Sequence, residues 1–162
     1  MLRVLTVLGG LAGAGTLSQF PEFSQQYLQR LGGQLDALTA VTTDFDASAT
    51  ASGLTRDAAL AALSGSAFLD LRRTDMTRVF ARHATVAADY ALLSAAAPLE
   101  RLALPHRFRD TETLNATWAD FKPAVPITMA GLVAAGIGFG TGWLGLSMLF
   151  GLFLRPFRRR AA

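Results

Sequence analysis

Hydrophobic and polar positions divide the chain into a few stretches of distinct character. Residues 4–21 carry no charge and consist mainly of Leu, Val, Gly and Ala. Phe20, Phe23, Tyr27, Leu31, Leu35, Leu38, Thr42 and Phe45 then recur at intervals of three and four, which is one face of an α-helix. Glu22, Gln25, Gln29 and Asp36 fall on its other faces. A second stripe follows through Phe68, Leu71, Met76, Val79, Phe80, His83, Val86, Tyr90 and Leu93. Residues 123–154 are again free of charge. No alternating run is long enough for a strand. The pattern predicts an all-α membrane protein, with two transmembrane helices flanking a helical hairpin or small-bundle domain outside the cytoplasm.

Lengths support two spans. As helix, residues 4–21 would measure ~27 Å at ~1.5 Å per residue, against a hydrocarbon core of ~30 Å. Residues 123–154 would measure ~48 Å, so that segment must tilt, begin in the interface or break. Pro123 and Pro126 suit its first turn, where a missing N–H costs little. The expected layout is a first span over 1–20, a periplasmic helical domain over 21–122, a second span over 123–154 and a basic tail over 155–162. Trp118 and Phe121 on one side, and Phe153 and Phe157 on the other, lie where interfacial aromatic anchors belong. A cleaved signal peptide is the alternative for the first segment, with Arg3 as its basic region and Ala12-Gly13-Ala14 as its cleavage site. Its apolar run, residues 4–11, is at the short limit for that role.

Between the spans, Pro21 either kinks a continuous helix or starts a new one. Gly32-Gly33 is a weak point in the first long helix. Gly53 marks a turn, with Thr55 as an N-cap and Asp57 in the first turn of the helix that follows. Asp70–Arg73 and Asp75–Arg78 are spaced for ion pairing along a helix. Pro98 and Pro105 punctuate the end of the second stripe, and "DTETLNATWADF" can form a short return helix. Neither long helix can bury its stripe alone, so the two should pack antiparallel.

Charge sets the orientation. The 162 residues include 15 basic and 12 acidic ones, and the pI is about 10.2. All the acidic residues lie between positions 22 and 120, and the folded middle is slightly acidic. The excess positive charge sits at the ends, in Arg3 and in "RPFRRRAA". A nucleic-acid-binding domain would carry that charge on its folded body, so nucleic acid is not an expected partner. Basic residues beside span ends stay in the cytoplasm, which puts both termini inside and residues 21–122 in the periplasm. The use of Arg over Lys suggests a GC-rich bacterial genome and hence a bacterial inner membrane.

Candidate chemistry is sparse. With no cysteine, disulfides, thiolate metal sites and Cys nucleophiles are excluded. His83 falls on an apolar stripe, where a packed or hydrogen-bonded histidine is the common case. His106 lies in the basic loop "LPHRFRD", which could meet lipid headgroups. No zinc, calcium-loop or nucleophile-elbow motif appears, and "GIGFGTGWLG" lacks the strand and lysine of a phosphate loop. No catalytic residue, metal site or cofactor is therefore expected, and the chain is not expected to be an enzyme. Gly9 and Gly13 in the first span, and Gly138 and Gly142 in the second, stand four residues apart, a spacing that lets membrane helices approach closely. The simplest use is packing the two spans on each other; the alternative is that glycine is simply common in membrane helices.

"LSQFPEFSQQYLQRLGG", the two-span layout and the "GLTRDAAL" connector resemble the bacterial family known as domain of unknown function 2937 (DUF2937). The resemblance extends over essentially the whole chain and is most specific at Phe-Pro-Glu-Phe. It implies a membrane protein and supplies no catalytic residues. Phe20, Pro21, Glu22, Phe23, Gln25 and Gln29 are the candidate joint, either setting the angle at which the chain leaves the bilayer or docking a partner through the Gln face. The expected role is a non-enzymatic accessory, scaffold or assembly subunit whose partners are membrane lipid and a second membrane protein or another copy of the chain. The alternatives are a periplasmic sensor acting through a separate effector, since the tail after residue 154 is too short for an output domain, and a lipid-interacting protein of the outer leaflet.

Overall fold

The computed structural model describes residues 2–123 and 128–158. Among the described residues there are six α-helices: α1 (Leu2–Ser18), α2 (Phe20–Ala51), α3 (Arg56–Ala62), α4 (Ala67–Ala95), α5 (Thr111–Asp120) and α6 (Met129–Arg158). Two short 3₁₀ turns, Glu100–Ala103 and Pro105–Arg107, lie between α4 and α5. Among the described residues there is no strand. The chain forms two compact units. The first holds Met1–Gln26, Ala97–Ala103 and Asp120–Ala162, and the second holds Tyr27–Ala96 and Leu104–Ala119.

Glycine organises the first unit. A Cβ built on Gly13 would collide with the Gly138 carbonyl oxygen, and one on Gly138 with the Gly13 carbonyl oxygen. Gly142 meets the Gly9 carbonyl in the same way, and a Cβ on Gly10 would lie 2.7 Å from the Phe139 ring. Rising positions on α1 meet falling positions on α6, so the helices are antiparallel with backbone against backbone. Such an approach gains dispersion contacts and brings Cα–H groups to facing carbonyls. The large side chains point the other way: Val4, Leu5, Leu8 and Leu11 of α1 and Leu132, Ile137, Met148 and Leu152 of α6 are exposed. The hydroxyls of Thr6, Thr16, Ser18 and Thr141 donate to carbonyls three or four residues back in their own helices. They therefore need no outside acceptor.

One helix among the described residues is long and apolar enough to cross a membrane, over Met129–Leu152. At 17 residues α1 is ~26 Å long, a little under a bilayer core. The second apolar helix starts later than its uncharged run. Thr128 accepts from the Gly131 amide at 3.1 Å as an N-cap, so α6 begins at Met129 and Pro123 lies in the preceding loop. A proline contributes no N–H, but it contributes no capping acceptor either, and the hydroxyl fixes the start. The helix also runs on to Arg158, into the segment expected to be a tail. Pro126, Arg159 and Arg160 lie outside the described residues, as do the side chains of Phe153, Arg155, Phe157 and Arg158.

The second unit is the helical pair α2–α4 closed by α5. Tyr27, Leu31, Leu38, Val86 and Leu93 form its buried core, with Leu28 beside them. Each such side chain contributes about 1.5–3 kcal/mol through burial. The helices run antiparallel, shown by Phe45 edge-on to Phe80 at 5.5 Å, Thr39 bonded to His83 at 3.0 Å, and Gly32 under the Tyr90 ring. The Thr39 hydroxyl donates to the Leu35 carbonyl. The same hydroxyl thus links the α2 backbone to the His83 ring of α4.

Gly32-Gly33 does not interrupt α2. Gly32 is the place where Tyr90 fits, a Cβ there falling 3.1 Å from the ring. Two stripe positions are corrected: Phe68 is 70 % exposed and Leu71 65 %. The helix α2 ends at Ala51, before it can cover them, and α3 buries no residue. Thr55 caps α3, Gly53 holds a positive φ of 69°, and both i, i+3 ion pairs form on α4.

The glycine contact gives a sharp expectation. Gly13→Ala inserts a methyl into the Gly138 backbone and should destabilise the helix pair by about 1–3 kcal/mol. Gly136→Ala, where nothing lies within 4 Å, should be neutral. Unfolding of both variants in detergent is the check, and equal effects would mean that the contact carries no stability.

Candidate functional site

The first unit contains the joint between α1 and α2. Regular helix is interrupted only at Gln19, and Pro21 sits in the first turn of α2, where its missing N–H removes one of the donors that lack intrahelical partners in any case. Phe23 restores the ladder by donating its amide to the Gln19 carbonyl at 2.9 Å. Glu22 occupies the first turn, a favourable place for a carboxylate, and accepts from the Gln26 amide at 2.9 Å.

The joint is held from across the chain by Arg101. Its Nη1 donates to Gln25 Oε1 at 3.1 Å and reaches Ser24 Oγ at 3.5 Å. Ser24 in turn donates to the Pro21 carbonyl at 2.8 Å. Arg101 is 5 % exposed, and burial pulls its guanidinium below its ordinary value. On the opposite flank Phe23 meets Phe121 edge-on at 5.5 Å. The structure thus gathers Pro21, Phe23 and Gln25 of the candidate joint around an arginine that sequence reasoning missed. Phe20 is half-buried, Glu22 is exposed, and Gln29 is exposed in the second unit. Gln25 therefore serves the joint itself and is not a neutral probe of a docking face. Gly9, Gly13, Gly138 and Gly142 lie together at the α1–α6 contact.

A second polar cluster lies in the other unit. Asp89 is buried on α4 at a register that its neighbours Val86 and Leu93 fill with apolar side chains. Arg107 Nη1 contacts one of its oxygens at 3.2 Å and Arg109 Nε the other at 2.6 Å. Asp110 accepts twice from Arg82, at 2.9 and 3.0 Å, and caps α5 through the Thr113 amide. Burial alone would push the Asp110 carboxyl up, but Arg82 and the Thr113 amide outweigh it and hold the group below its ordinary value. The Tyr27 hydroxyl is pushed up to about 12 by burial. It faces the Asp110 backbone amide without closing a hydrogen bond. Both arginines in "LPHRFRD" thus pair with the buried Asp89, Arg107 half-buried and Arg109 exposed, while His106 is exposed. An acidic residue in an apolar register was the available sign of this cluster.

Neither cluster has the form of a catalytic site. Among the described residues no group of three or more His, Asp or Glu could hold a metal. A groove of about 390 Å³ lined by Asp46, Thr50, Leu54, Thr55, Arg56 and Asp57 is open. Its main charges neutralise each other, Arg56 bonding both oxygens of Asp46 while lying over the Phe80 ring.

The architecture defines an all-helical protein in which one long apolar helix packs on a second through glycine. The chain belongs to the family described as Protein of unknown function (DUF2937), which matches residues 1–159. No curated protein and no solved structure matches it.

The Arg101 clasp can be tested directly. Hydrogen bonds to a charged group contribute about 1.5–3 kcal/mol, so Gln25→Ala and Arg101→Gln should each destabilise the protein, and the double variant should lose less than the sum. Gln29→Ala should leave stability unchanged. Strict additivity of the first two, read from thermal unfolding in detergent, would dissolve the clasp.

Proposed function

We propose that the chain is a two-span protein of a bacterial inner membrane and acts as a non-enzymatic accessory, scaffold or assembly subunit. Helices α1 and α6 are the spans, and residues 21–122 form the outer domain. The observation that carries this reading is the disposition of unit one. Two antiparallel helices meet through glycine backbones while their large apolar side chains face outward. In water that arrangement exposes what the hydrophobic effect would bury. In lipid it is favourable, because side chains meet acyl chains and close packing supplies the association. Helix α1 is short for a bilayer, but it is paired with α6 through its central turns, so α6 in lipid brings α1 with it. Arg3 before the first span and the arginines after the second support cytoplasmic termini.

The assembly role draws on the outer domain, where charges are paired and two long helices offer extended faces. Its partner is a second membrane protein or another copy of the chain. Because the chain lacks cysteine, single Cys substitutions report cleanly. An impermeant thiol-reactive crosslinker added to intact spheroplasts should trap one defined adduct from Cys at Gln29, Ser48 or Ser64 and none from Cys at Ala162. Reaction at Ala162 alone would invert the topology. Labelling at all three outer positions without an adduct would overturn the assembly role.

A further inference from the structure

We propose that residues 104–110 form a strap over the end of the α2–α4 pair that opens and closes as a unit, with the Asp89 carboxylate as its catch. The backbone hydrogen bonds that shape this segment run within it or into α5. Arg107 donates to Leu104 at 3.0 Å, Phe108 to Pro105 at 3.2 Å, and Leu114 to Asp110 at 2.9 Å. What ties the segment to the helices is side-chain chemistry. Arg107 and Arg109 grip the two oxygens of one carboxylate, and between them Phe108 lies on the Tyr27 ring at 4.7 Å. Arg82 and Asp110 fix the far end, where α5 begins. The arrangement is a hinge at Asp110 and a polar catch at Asp89, with Phe108 and Leu104 seated on the core beside it.

Beneath the closed strap two donors lack a partner. The Tyr27 hydroxyl and the Arg107 Nε are both buried and make no hydrogen bond. Tyr27 is wholly buried, where Phe would fill the same core without a polar atom. Closure therefore forfeits two hydrogen bonds that water restores on opening, while opening forfeits the two contacts to Asp89. Opening also uncovers Phe108 and Leu104, which pack against the core, and the unpaired donors lower the cost of that opening relative to a fully satisfied strap, so the segment opens at a cost below global unfolding. Losing one partner of the catch, or one orphan beneath it, shifts that balance in opposite directions.

Trypsin reads the balance, since it cuts after Arg107 only when the strap is open. The full chain in detergent micelles is digested under conditions where opening is fast relative to cleavage. Asp89→Asn should speed the cut at Arg107 at least tenfold. Tyr27→Phe should slow it several-fold, because the open state no longer gains a hydrogen bond. Should Asp89→Asn fail to fold, Arg109→Gln removes half the catch and should speed the same cut. Unchanged or faster cleavage in Tyr27→Phe would overturn the strap. So would cuts after Arg73 and Arg78 in α4 appearing in step with the cut at Arg107, since the opening would then be global.

Discussion

The backbone contact between α1 and α6 is the constraint on which the first unit depends. Gly13 and Gly138 each present a carbonyl to the place where the other would carry a Cβ, and one turn away Gly9 presents its carbonyl to Gly142. With the shared face given to glycine, Phe139 and Leu146 lie over Gly10 and Gly9, and most other bulky residues of the pair face outward. One choice of residue type therefore explains both the close packing and the exposed apolar surface. It also accounts for the hydroxyls. On so apolar a surface a hydroxyl finds its acceptor within its own helix, as Thr6, Thr16, Ser18 and Thr141 do.

In the second unit the interior is apolar along α2 and α4 until the Asp89 level, where the chemistry changes. A buried carboxylate is costly unless opposing charge reaches it. The loop before α5 supplies that charge twice, through arginines on either side of Phe108. The same residues thus fold the loop and satisfy the core. Other charges are paired between elements, as in Arg82 with Asp110 and Glu112, or Arg56 with Asp46.

Local signals were the legible part. Helical periodicity located α2 and most of α4, Gly53 and Thr55 marked the start of α3, and "DTETLNATWADF" contained α5. What stayed hidden was non-local. Arg101 reaches Ser24 across 77 positions, and nothing in "LERLAL" distinguishes it from a solvated arginine. Phe68 and Leu71 extend the α4 stripe only across a five-residue step to Met76, and periodicity says which face is apolar and not whether a partner helix extends far enough to cover it. The start of α6 was placed at prolines because they are visible, whereas the hydroxyl of Thr128 sets it. Gly32 looked like a weakness because its value lies in the Tyr90 ring that crosses it.

The chain has two tryptophans, and they stand in different settings. Trp118 is exposed on α5 and Trp143 is exposed within the apolar run of α6. Trp118→Phe leaves Trp143 as the sole reporter of where the glycine-packed pair resides. In vesicles of phospholipids brominated along their acyl chains, a lipid-embedded pair predicts strong quenching of Trp143 emission and near-immunity to aqueous acrylamide. Full quenching by acrylamide with no response to the brominated chains would place α6 in water and contradict the membrane assignment.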